Sequence, residues 1–194
     1  MPTGVHLSNA RQLLFDAAER VLLRDGVSGL TSRAVTAEAG VAKGVMHHHF
    51  VDFDTFLSEL VLDRQAKLDS AMTALRDVAG MGVVVDNLVD ALTTVFSPLA
   101  VAVPALVITR DGLRARLREA GAARFPLIAE GSAAITAYLT AEQALGRISG
   151  SAETPALSYM LVGATHLLFT DRESGPPDVE ALHNVVVNVV HGAA

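Results

Sequence analysis

Residues 31–50, TSRAVTAEAGVAKGVMHHHF, predict two short helices joined by a tight turn. Thr31 is a suitable N-cap, because its hydroxyl can accept a hydrogen bond from a free amide of the first turn. Gly40 can adopt the left-handed conformation that ends a helix without a Cβ clash. Met46 and Phe50 lie one turn apart on the second helix, and such a short helix must pack on something. We therefore predict a helix-turn-helix, whose second helix enters the DNA major groove.

Four short motifs in the first part of the chain carry a family pattern: GLT at 29–31, AEAGV at 37–41, KG at 43–44 and HHF at 48–50. With these motifs, the segment from Ala10 to about Arg64 resembles the tetracycline-repressor (TetR) family of transcriptional regulators. The resemblance implies an N-terminal three-helix DNA-binding domain and a C-terminal helical domain that binds a ligand and dimerises. It also implies a homodimeric repressor released by a small molecule. The remaining residues resemble the family only in being helical and apolar.

Composition indicates a fully folded protein, since 51% of the 194 residues are hydrophobic. The absence of cysteine excludes disulfides, thiolate metal sites and cysteine nucleophiles, and it suits a reducing compartment. No secretory signal is evident at the N-terminus. The most apolar stretch, residues 95–108, contains two prolines and is shorter than the ~18 residues that a membrane-spanning helix needs. We expect a soluble cytoplasmic protein that does not contact a membrane.

The net charge of −6 is unusual for a protein that binds DNA. Residues 1–64 contain six Lys and Arg against eight Asp and Glu, a balance of −2. Neutralisation of DNA phosphates must therefore be local, carried by a few cations on one face, by helix N-termini and by dimerisation. We expect weak non-specific affinity for DNA.

Apolar residues repeat at the helical period throughout the chain and predict nine or ten helices and no strand, an all-α fold. The first helix is expected to follow a Ser8 or Asn9 cap and to stop at Gly26. A long helix capped by Asp52 or Asp54 is expected to run to about residue 79. It would leave the DNA-binding part at residue 64 and act as a rigid lever into the rest of the protein.

The second region is expected to begin after the hinge at residues 80–82. Residues 98–109 should be broken or short, because Pro104 lacks an amide donor. The valine-rich end of the chain, residues 185–190, keeps helical spacing despite its β-branched residues, so we predict a helix capped by Asp178 and stabilised by packing.

Lys43 is the strongest candidate for a base or phosphate contact, because it lies in the first turn of the predicted recognition helix. Gly44 would let the helix approach DNA closely. In the family that this segment resembles, small hydroxyl residues and a tyrosine usually stand at the positions of Ala42, Val45 and His47. The methyl groups of Ala42 and Val45 can contact the methyl group of thymine, so these changes imply an altered preference for DNA sequence. The expected DNA-binding residues are Thr31, Ser32, Arg33, Ala42, Lys43, Gly44, Val45, His47 and His48.

The run His47-His48-His49 does not predict a metal site, because consecutive helical residues point about 100° apart and cannot converge on one ion. We expect no metal and no cofactor. Histidines here would add positive charge to the DNA face in mild acid. Phe53 also departs from the family, in which a lysine often reaches the DNA backbone from this position.

A cluster of five arginines, residues 110–124, is most often a solvated helix face. The functional alternative is that Arg110 pairs with an anionic ligand. Tyr138 and His166 lie on apolar stripes, where such residues are more often core groups than ligand contacts. The expected effector is a small, largely hydrophobic molecule with one polar group held near Arg110 or His166. Its predicted pocket consists of Phe96, Leu99, Leu106, Arg110, Tyr138, Met160 and His166.

Dimerisation is predicted through the two helices that begin at Thr154 and Asp178. The second of these has valines on nearly every side, more apolar surface than one intrachain contact can bury. Two helices from each subunit would pack as a four-helix bundle and set the recognition helices about 34–36 Å apart. The predicted interface residues are Gly163, Ala164, Leu182, Val185, Val186 and Val189.

These observations predict two domains: residues 1–64 bind operator DNA, and residues 65–194 bind the effector and dimerise. The partners are a palindromic double-stranded DNA operator, a small hydrophobic effector and a second copy of the chain. The alternative is an all-α small-molecule binding protein whose helix-turn-helix no longer recognises an operator. An enzyme is a distant third, because the sequence shows no catalytic residue pattern.

Overall fold

The computed structural model describes residues 7–170 and 179–192. Within these ranges the fold is all-α, as predicted, with ten helices and no strand. The helices are α1 Leu7–Gly29, α2 Ser32–Glu38, α3 Lys43–His49, α4 Phe53–Asp77, α5 Val84–Val95, α6 Pro98–Thr109, α7 Asp111–Glu119, α8 Pro126–Ala144, α9 Thr154–Thr170 and α10 Val179–His191.

Local hydrogen bonds confirm the helix boundaries predicted around the helix-turn-helix. The Ala34 amide donates to the Thr31 hydroxyl at 3.1 Å, which caps α2. Gly40, at φ +67°, follows the end of α2 in the left-handed conformation. Asp52, the first of the two proposed caps, accepts the Thr55 amide at 2.7 Å and so fixes the start of α4.

Three predictions about helix boundaries were wrong or lie outside the structure. The first helix already begins at Leu7, so neither Ser8 nor Asn9 stands at its start. Helix α6 continues across Pro104 without a break. A helical proline removes one hydrogen bond, and the packing of the neighbouring buried residues, such as Val103 at 1% exposure, compensates for this loss. The predicted Asp178 cap lies outside the described residues.

The chain folds into two compact units, the first formed by residues 1–63 and 102–125, the second by residues 64–101 and 126–194. Helix α4 is continuous through residue 64, where the predicted domain boundary falls. No sequence pattern indicated that residues 102–125, which include α7, pack with the N-terminal helices. The first unit is therefore larger than a three-helix domain.

Aromatic packing forms the core of the first unit and holds α3 in place. The rings of Phe15, Phe50 and Phe56 meet pairwise with centroids 5.0–5.9 Å apart. Phe15 lies on α1, Phe56 on α4, and Phe50 is the C-cap of α3. Because its C-cap is anchored between two longer helices, the seven-residue α3 has the support that a helix of this length needs.

The second unit is built on the pair α8 and α9, with α5 against α8 and α10 against both α5 and α9. The glycine-containing connection between α4 and α5 is fixed to the end of α8 by a buried carboxylate. Glu142, which is 0% exposed, accepts the Gly80 amide at 3.0 Å and pairs with Arg147 at 3.1 Å. The same guanidinium donates to the Gly82 carbonyl at 2.6 Å. The predicted hinge at residues 80–82 is thus tied down by side chains.

Among the described residues, no single helix is long and apolar enough to cross a membrane. Helix α5 and residues 99–109, which are separated by a bend, are together long and apolar enough to span one. Most of the large apolar side chains of these helices are buried, as expected of core helices.

Candidate nucleic-acid interface

Helix α3 presents one buried side and one open side. Met46, on the buried side, is 1% exposed, whereas Lys43, His47 and His48 are exposed. Ala42 is the N-cap of α3 and offers no side-chain hydrogen bond to it. The start of the helix therefore presents uncapped amides, which together with the helix dipole favour a negatively charged partner.

The nine residues predicted to contact DNA all lie at the N-terminus of α2 or along α3 and the residue preceding it. Ser32 and Val45 are half-buried, and the remaining seven are exposed. Val45 lines, with Ala10, Leu13 and Val41, an apolar cavity of about 360 Å³ beside α3. Its side chain is thus partly directed towards α1. DNA contact by these residues stays a prediction.

The cations of the helix-turn-helix differ in whether a carboxylate already neutralises them. Arg20 and Arg24 of α1 donate to Glu38 of α2 at 2.8 and 2.6 Å, and these hydrogen bonds lower the pKa of Glu38. Arg33 and Lys43 are exposed and form no ion pair within the described part of the chain. These two cations are therefore available to phosphates.

Residues 102–125 change the charge of the unit that contains the helix-turn-helix. Residues 1–63 contain five Lys and Arg against eight acidic residues, a balance of −3. Residues 102–125 contain five arginines against two acidic residues, a balance of +3. The first unit is therefore neutral, and the acidic balance that the N-terminal sequence alone suggested is removed by folding.

Two of these arginines fasten α7 to the first residues of α4, directly after the recognition helix. Arg116 donates to the Thr55 hydroxyl at 2.8 Å and to Asp52 at 2.5 Å. Arg110, the N-cap of α7, donates to Asp54 at 3.0 Å. The hydrogen bond from the Thr55 amide, with Arg116 nearby, lowers the pKa of Asp52. Asp52 at the start of α4 and Arg110 at the start of α7 therefore each bind a residue of the other helix.

Phe53 has a structural role that the sequence did not reveal. Its ring stacks on Phe56 with centroids 5.5 Å apart, and the Arg110 guanidinium lies 5.2 Å from its centroid. A Cβ at Gly112 would lie 2.2 Å from Asp54 Oδ2, so a larger residue there would displace the carboxylate that binds Arg110. The residue that replaces the family's lysine therefore helps to seat α7 against α4, through a cation–π contact.

Comparison with known proteins agrees with this geometry. Residues 14–60 match the family described as Bacterial regulatory proteins, tetR family. The N-terminal domain belongs to the tetR family. The family resemblance stated from the motifs is thereby confirmed. No curated protein sequence matches the chain.

Solved structures similar to this chain share its fold along nearly the whole length. The Bacillus subtilis transcriptional regulator FadR, in complex with stearoyl-CoA, is 17% identical with a TM-score of 0.68, covering 94% of this chain and 99% of its own. A transcriptional regulator from Rhodococcus sp. Rha1 is 22% identical with a TM-score of 0.68, covering 94% and 97%. The multidrug binding protein EbrR, complexed with imidazole, is 21% identical with a TM-score of 0.57, covering 93% and 94%.

One histidine of the tetR-family helix α3 is held differently from its neighbours. His49 is half-buried beside His48, with ring centroids 5.1 Å apart, and near Arg11. Burial, and then the nearby His48 and Arg11, lower the pKa of His49. Only His47 and His48 of this run are therefore exposed enough to meet DNA.

The residues predicted to line the effector pocket are divided between the two units. Phe96, Leu99, Tyr138, Met160 and His166 belong to the second unit, whereas Leu106 and Arg110 belong to the first. Two of the assignments need correction. Arg110 is occupied by Asp54, and Met160 is 58% exposed on the outer side of α9, so it does not line an enclosed pocket.

The remaining predicted pocket residues have a mixed polar environment. Tyr138 is fully buried and accepts a hydrogen bond from Asn87 at 2.9 Å, and burial raises its pKa to about 12. The His166 ring lies 6.0 Å from the Phe96 ring and 5.8 Å separates Phe96 from Phe169. The buried Nδ1 of His166 has no hydrogen-bond partner among the residues that the structure describes. His166 is therefore the group in this set with an unused polar atom.

Part of the predicted dimer interface is packed within the second unit. Leu182 and Val186 are 0% exposed, because α10 packs against α5 and α9 of the same chain. Val185 and Val189 are half-buried, as is Ala164, and Gly163 is exposed. The valine-rich helix buries its main apolar stripe inside its own unit.

The sequence prediction missed the apolar residues that α9 leaves uncovered. Tyr159 is 71% exposed and Leu167 is 72% exposed, on the same side as Met160. Gly163 lies between them, and no atom lies within 4 Å of the position its Cβ would take. The spacing of four residues from Tyr159 to Gly163 and from Gly163 to Leu167 was the signal that could have identified this face.

Proposed function

We propose that this DNA-binding regulator is a homodimeric repressor that binds a palindromic operator and is released by a small molecule. The proposal rests on two exposed cations of the helix-turn-helix, Arg33 and Lys43, which form no ion pair among the described residues. They belong to a unit that carries no net charge. An unpaired cation neutralises a phosphate without first breaking an ion pair, so these two residues supply the local charge that operator binding requires.

The proposed dimer interface is the outer face of the pair α8 and α9. On α9 it presents Tyr159, Met160 and Leu167 around Gly163. On α8 the exposed positions form a stripe of alanines, Ala129, Ala133 and Ala137. The other sides of this pair are covered by α5 and α10. A second copy of the same face would bury the large apolar side chains against the small ones and form a four-helix bundle.

Replacing Leu167 with Asp tests this interface, because a charge there cannot be buried between subunits. We expect Leu167→Asp to sediment as a folded monomer that has lost affinity for a palindromic operator. Ile108→Asp places the same charge on an apolar residue that is also exposed, at 59%, but on α6, and should remain dimeric. A dimeric Leu167→Asp variant would locate the interface elsewhere.

The proposed effector is largely hydrophobic, with one polar group bound at His166 Nδ1. The support is that this atom is buried and has no partner among the described residues. Its ring lies 6.0 Å from the ring of Phe96, which in turn lies 5.8 Å from the ring of Phe169. Of the two anchors considered, Arg110 is already paired with Asp54. The similar FadR structure contains stearoyl-CoA and EbrR is described as a multidrug binding protein, and both descriptions agree with an apolar effector.

Operator binding is tested by titrating the protein with its own upstream DNA and measuring fluorescence anisotropy at several salt concentrations. Lys43→Ala should flatten the salt dependence by about one unit of slope if Lys43 contacts a phosphate, or cost roughly 1–3 kcal/mol with relaxed specificity if it contacts a base. Lys67→Ala removes the other lysine of the chain, which is exposed on α4, and should leave binding unchanged. Equal affinities for both variants would exclude Lys43 from the interface.

The second candidate is a small-molecule binding protein that no longer recognises an operator. It is favoured by Ala42, the N-cap residue of α3, whose side chain makes no capping hydrogen bond and offers no hydroxyl to a phosphate. The absence of any salt-dependent DNA binding by the unmodified protein would support it. Either candidate is a cytoplasmic protein without enzymatic activity, and a turnover abolished by a single His or Arg substitution would contradict both.

A further inference from the structure

Helix α7 and its N-cap carry four arginines, and the start of α4 accounts for only two of them. Arg110 and Arg116 bind Asp54 and Asp52 as described above. Arg114 and Arg118 line a cavity with Arg124, which follows the helix. The α7 segment therefore has a second basic side, whose arginines take no part in the contact with α4.

This cavity has a volume of about 420 Å³, within the range of roughly 300–1,000 Å³ that is usual for small-molecule sites. Val107 and Leu117, 1% and 2% exposed, lie at its base, and Ala122 and Ala123 complete its apolar lining. All of its lining residues belong to the first unit. We call it the α7 cavity.

The turn after α7 brings the third arginine to the α7 cavity. Gly121 adopts φ +72°, and its amide donates to the Arg118 carbonyl at 3.0 Å. The Ala122 amide donates to the Leu117 carbonyl at 2.9 Å. This glycine turn reverses the chain, so Arg124 lines the same cavity as Arg118. It also occupies two carbonyls of the helix C-terminus that would otherwise repel an anion.

The three arginines differ in how far they are already engaged. Arg114 binds Asp111 and donates to the Val107 carbonyl at 3.4 Å. Arg118 and Arg124 are exposed, and neither forms an ion pair with any residue that the structure describes. A guanidinium offers a planar set of donors that matches a carboxylate or a phosphate. Two such groups beside an apolar base suit a ligand with an anionic end and an apolar body.

We propose that the α7 cavity binds a small amphipathic anion, with a carboxylate or phosphate on Arg118 and Arg124 and an apolar body on Val107 and Leu117. A DNA backbone is a less suitable partner, because phosphates gain nothing from a buried apolar base. The α7 cavity is distinct from the effector site around His166, and its occupation does not depend on operator binding.

Titration calorimetry of the full-length protein with octanoate, without DNA, tests this site. Octanoate should bind saturably, one molecule per chain. Octanol, which lacks the charge, should bind at least about tenfold more weakly, since a hydrogen bond to a charged group contributes roughly 1.5–3 kcal/mol. Acetate and inorganic phosphate should also bind at least about tenfold more weakly, because they bury no alkyl chain on Val107 and Leu117.

Matched variants locate the binding. The double substitution Arg118→Gln and Arg124→Gln should weaken octanoate at least about tenfold. Arg76→Gln, at an exposed arginine on α4, removes the same kind of charge elsewhere and should leave the affinity unchanged. Ala123→Phe keeps all three arginines but fills the cavity, so it should also abolish octanoate binding. Both affected residues and Ala123 are exposed, and thermal unfolding of each variant verifies that it folds.

Three results would overturn the proposal: octanoate that does not bind the unmodified protein, equal affinities for octanoate and octanol, or full octanoate affinity in the double variant. If the double variant instead loses operator affinity and octanoate never bound, the arginines contact DNA and the α7 cavity is not a small-molecule site. The repressor function would survive each of these results, because operator binding is measured separately.

Discussion

Residues 1–63 with 102–125 carry no net charge, whereas residues 64–101 with 126–194 carry the entire −6 of the chain. The two units are built of similar helices, yet their surfaces suit different partners. A neutral unit with two unpaired cations on its helix-turn-helix can approach a polyanion, while an acidic unit is repelled by it. This difference favours DNA contact through the first unit and limits non-specific contact through the second.

The units also differ in what they leave uncovered. The first unit engages all three arginines of α1, and three of the four arginines of α7 and its N-cap, in ion pairs. Among the described residues it leaves cations without an ion pair at the helix-turn-helix and at the α7 cavity. The second unit leaves apolar side chains uncovered on α9. Free charge indicates an anionic partner, and free apolar surface indicates a protein partner.

The largest expected effect separates core from interface in the second unit. Val186→Asp buries a carboxylate at a 0% exposed position, and we expect it to cost roughly 4 kcal/mol or more of unfolding free energy. Leu167→Asp, on the exposed face, should change the unfolding free energy of the monomer by no more than about 0.5 kcal/mol. Urea unfolding of both variants measures this. A stable Val186→Asp monomer would place Val186 on the surface.

The next effect concerns the buried ion pair that ties the α4–α5 connection to α8. Arg147→Met leaves Glu142 buried without its cation, which should cost about 3–5 kcal/mol. Adding Glu142→Leu should restore much of this loss, because the unpaired charge is then removed as well. Urea unfolding of the single and double variants compares the two. A double variant less stable than Arg147→Met would show that the Gly80 hydrogen bond to Glu142 dominates.

A smaller effect is expected where α7 meets α4 in the first unit. Asp52→Ala removes both the cap of α4 and the partner of Arg116, and we expect a loss of about 1 kcal/mol, chiefly from the cap. Because the pKa of Asp52 is lowered in the folded protein, its contribution is present at neutral pH and is lost as the pH falls through that lowered pKa. The stability difference from the unmodified protein should therefore shrink in acid, which thermal unfolding at several pH values measures.

A gain is expected at the start of the recognition helix. Ala42 has φ −64° and ψ 145°, the extended conformation of an N-cap, but no side-chain hydrogen bond. Ala42→Ser should stabilise the first unit by roughly 0.5–1 kcal/mol and add a hydroxyl for a phosphate. Higher stability without higher operator affinity would mean that position 42 caps the helix but does not meet DNA.

The smallest effect is the response of the first unit to mild acid through His49. Burial lowers the pKa of His49, so the folded protein binds fewer protons there than the unfolded chain does. Stability should decrease as the pH falls through about 6.5, where an unfolded histidine becomes charged. His49→Asn should reduce this decrease in thermal unfolding between pH 7.5 and 5.5, and an identical pH profile would exclude His49 as its source.

Features that depend only on nearby residues could be predicted from the amino-acid sequence alone. The Thr31 cap, the Gly40 end and the Asp52 cap each require one residue and an amide within three positions. Such local hydrogen bonds follow from residue type and spacing, and so do the family motifs that the 14–60 match confirms. Fold class was predictable for the same reason, since apolar periodicity is a local signal.

Which charges and apolar residues remain free depends on how segments that are distant in the sequence pack together. Arg110 forms an ion pair with Asp54, 56 positions away, whereas Arg118 forms no ion pair among the described residues. Val186 is buried and Leu167 is exposed, although both are apolar residues of predicted interface helices. Whether a side chain stays exposed or without a partner is settled only when every distant segment has packed. Sequence spacing records which groups a helix presents, but not which of them another part of the chain will cover.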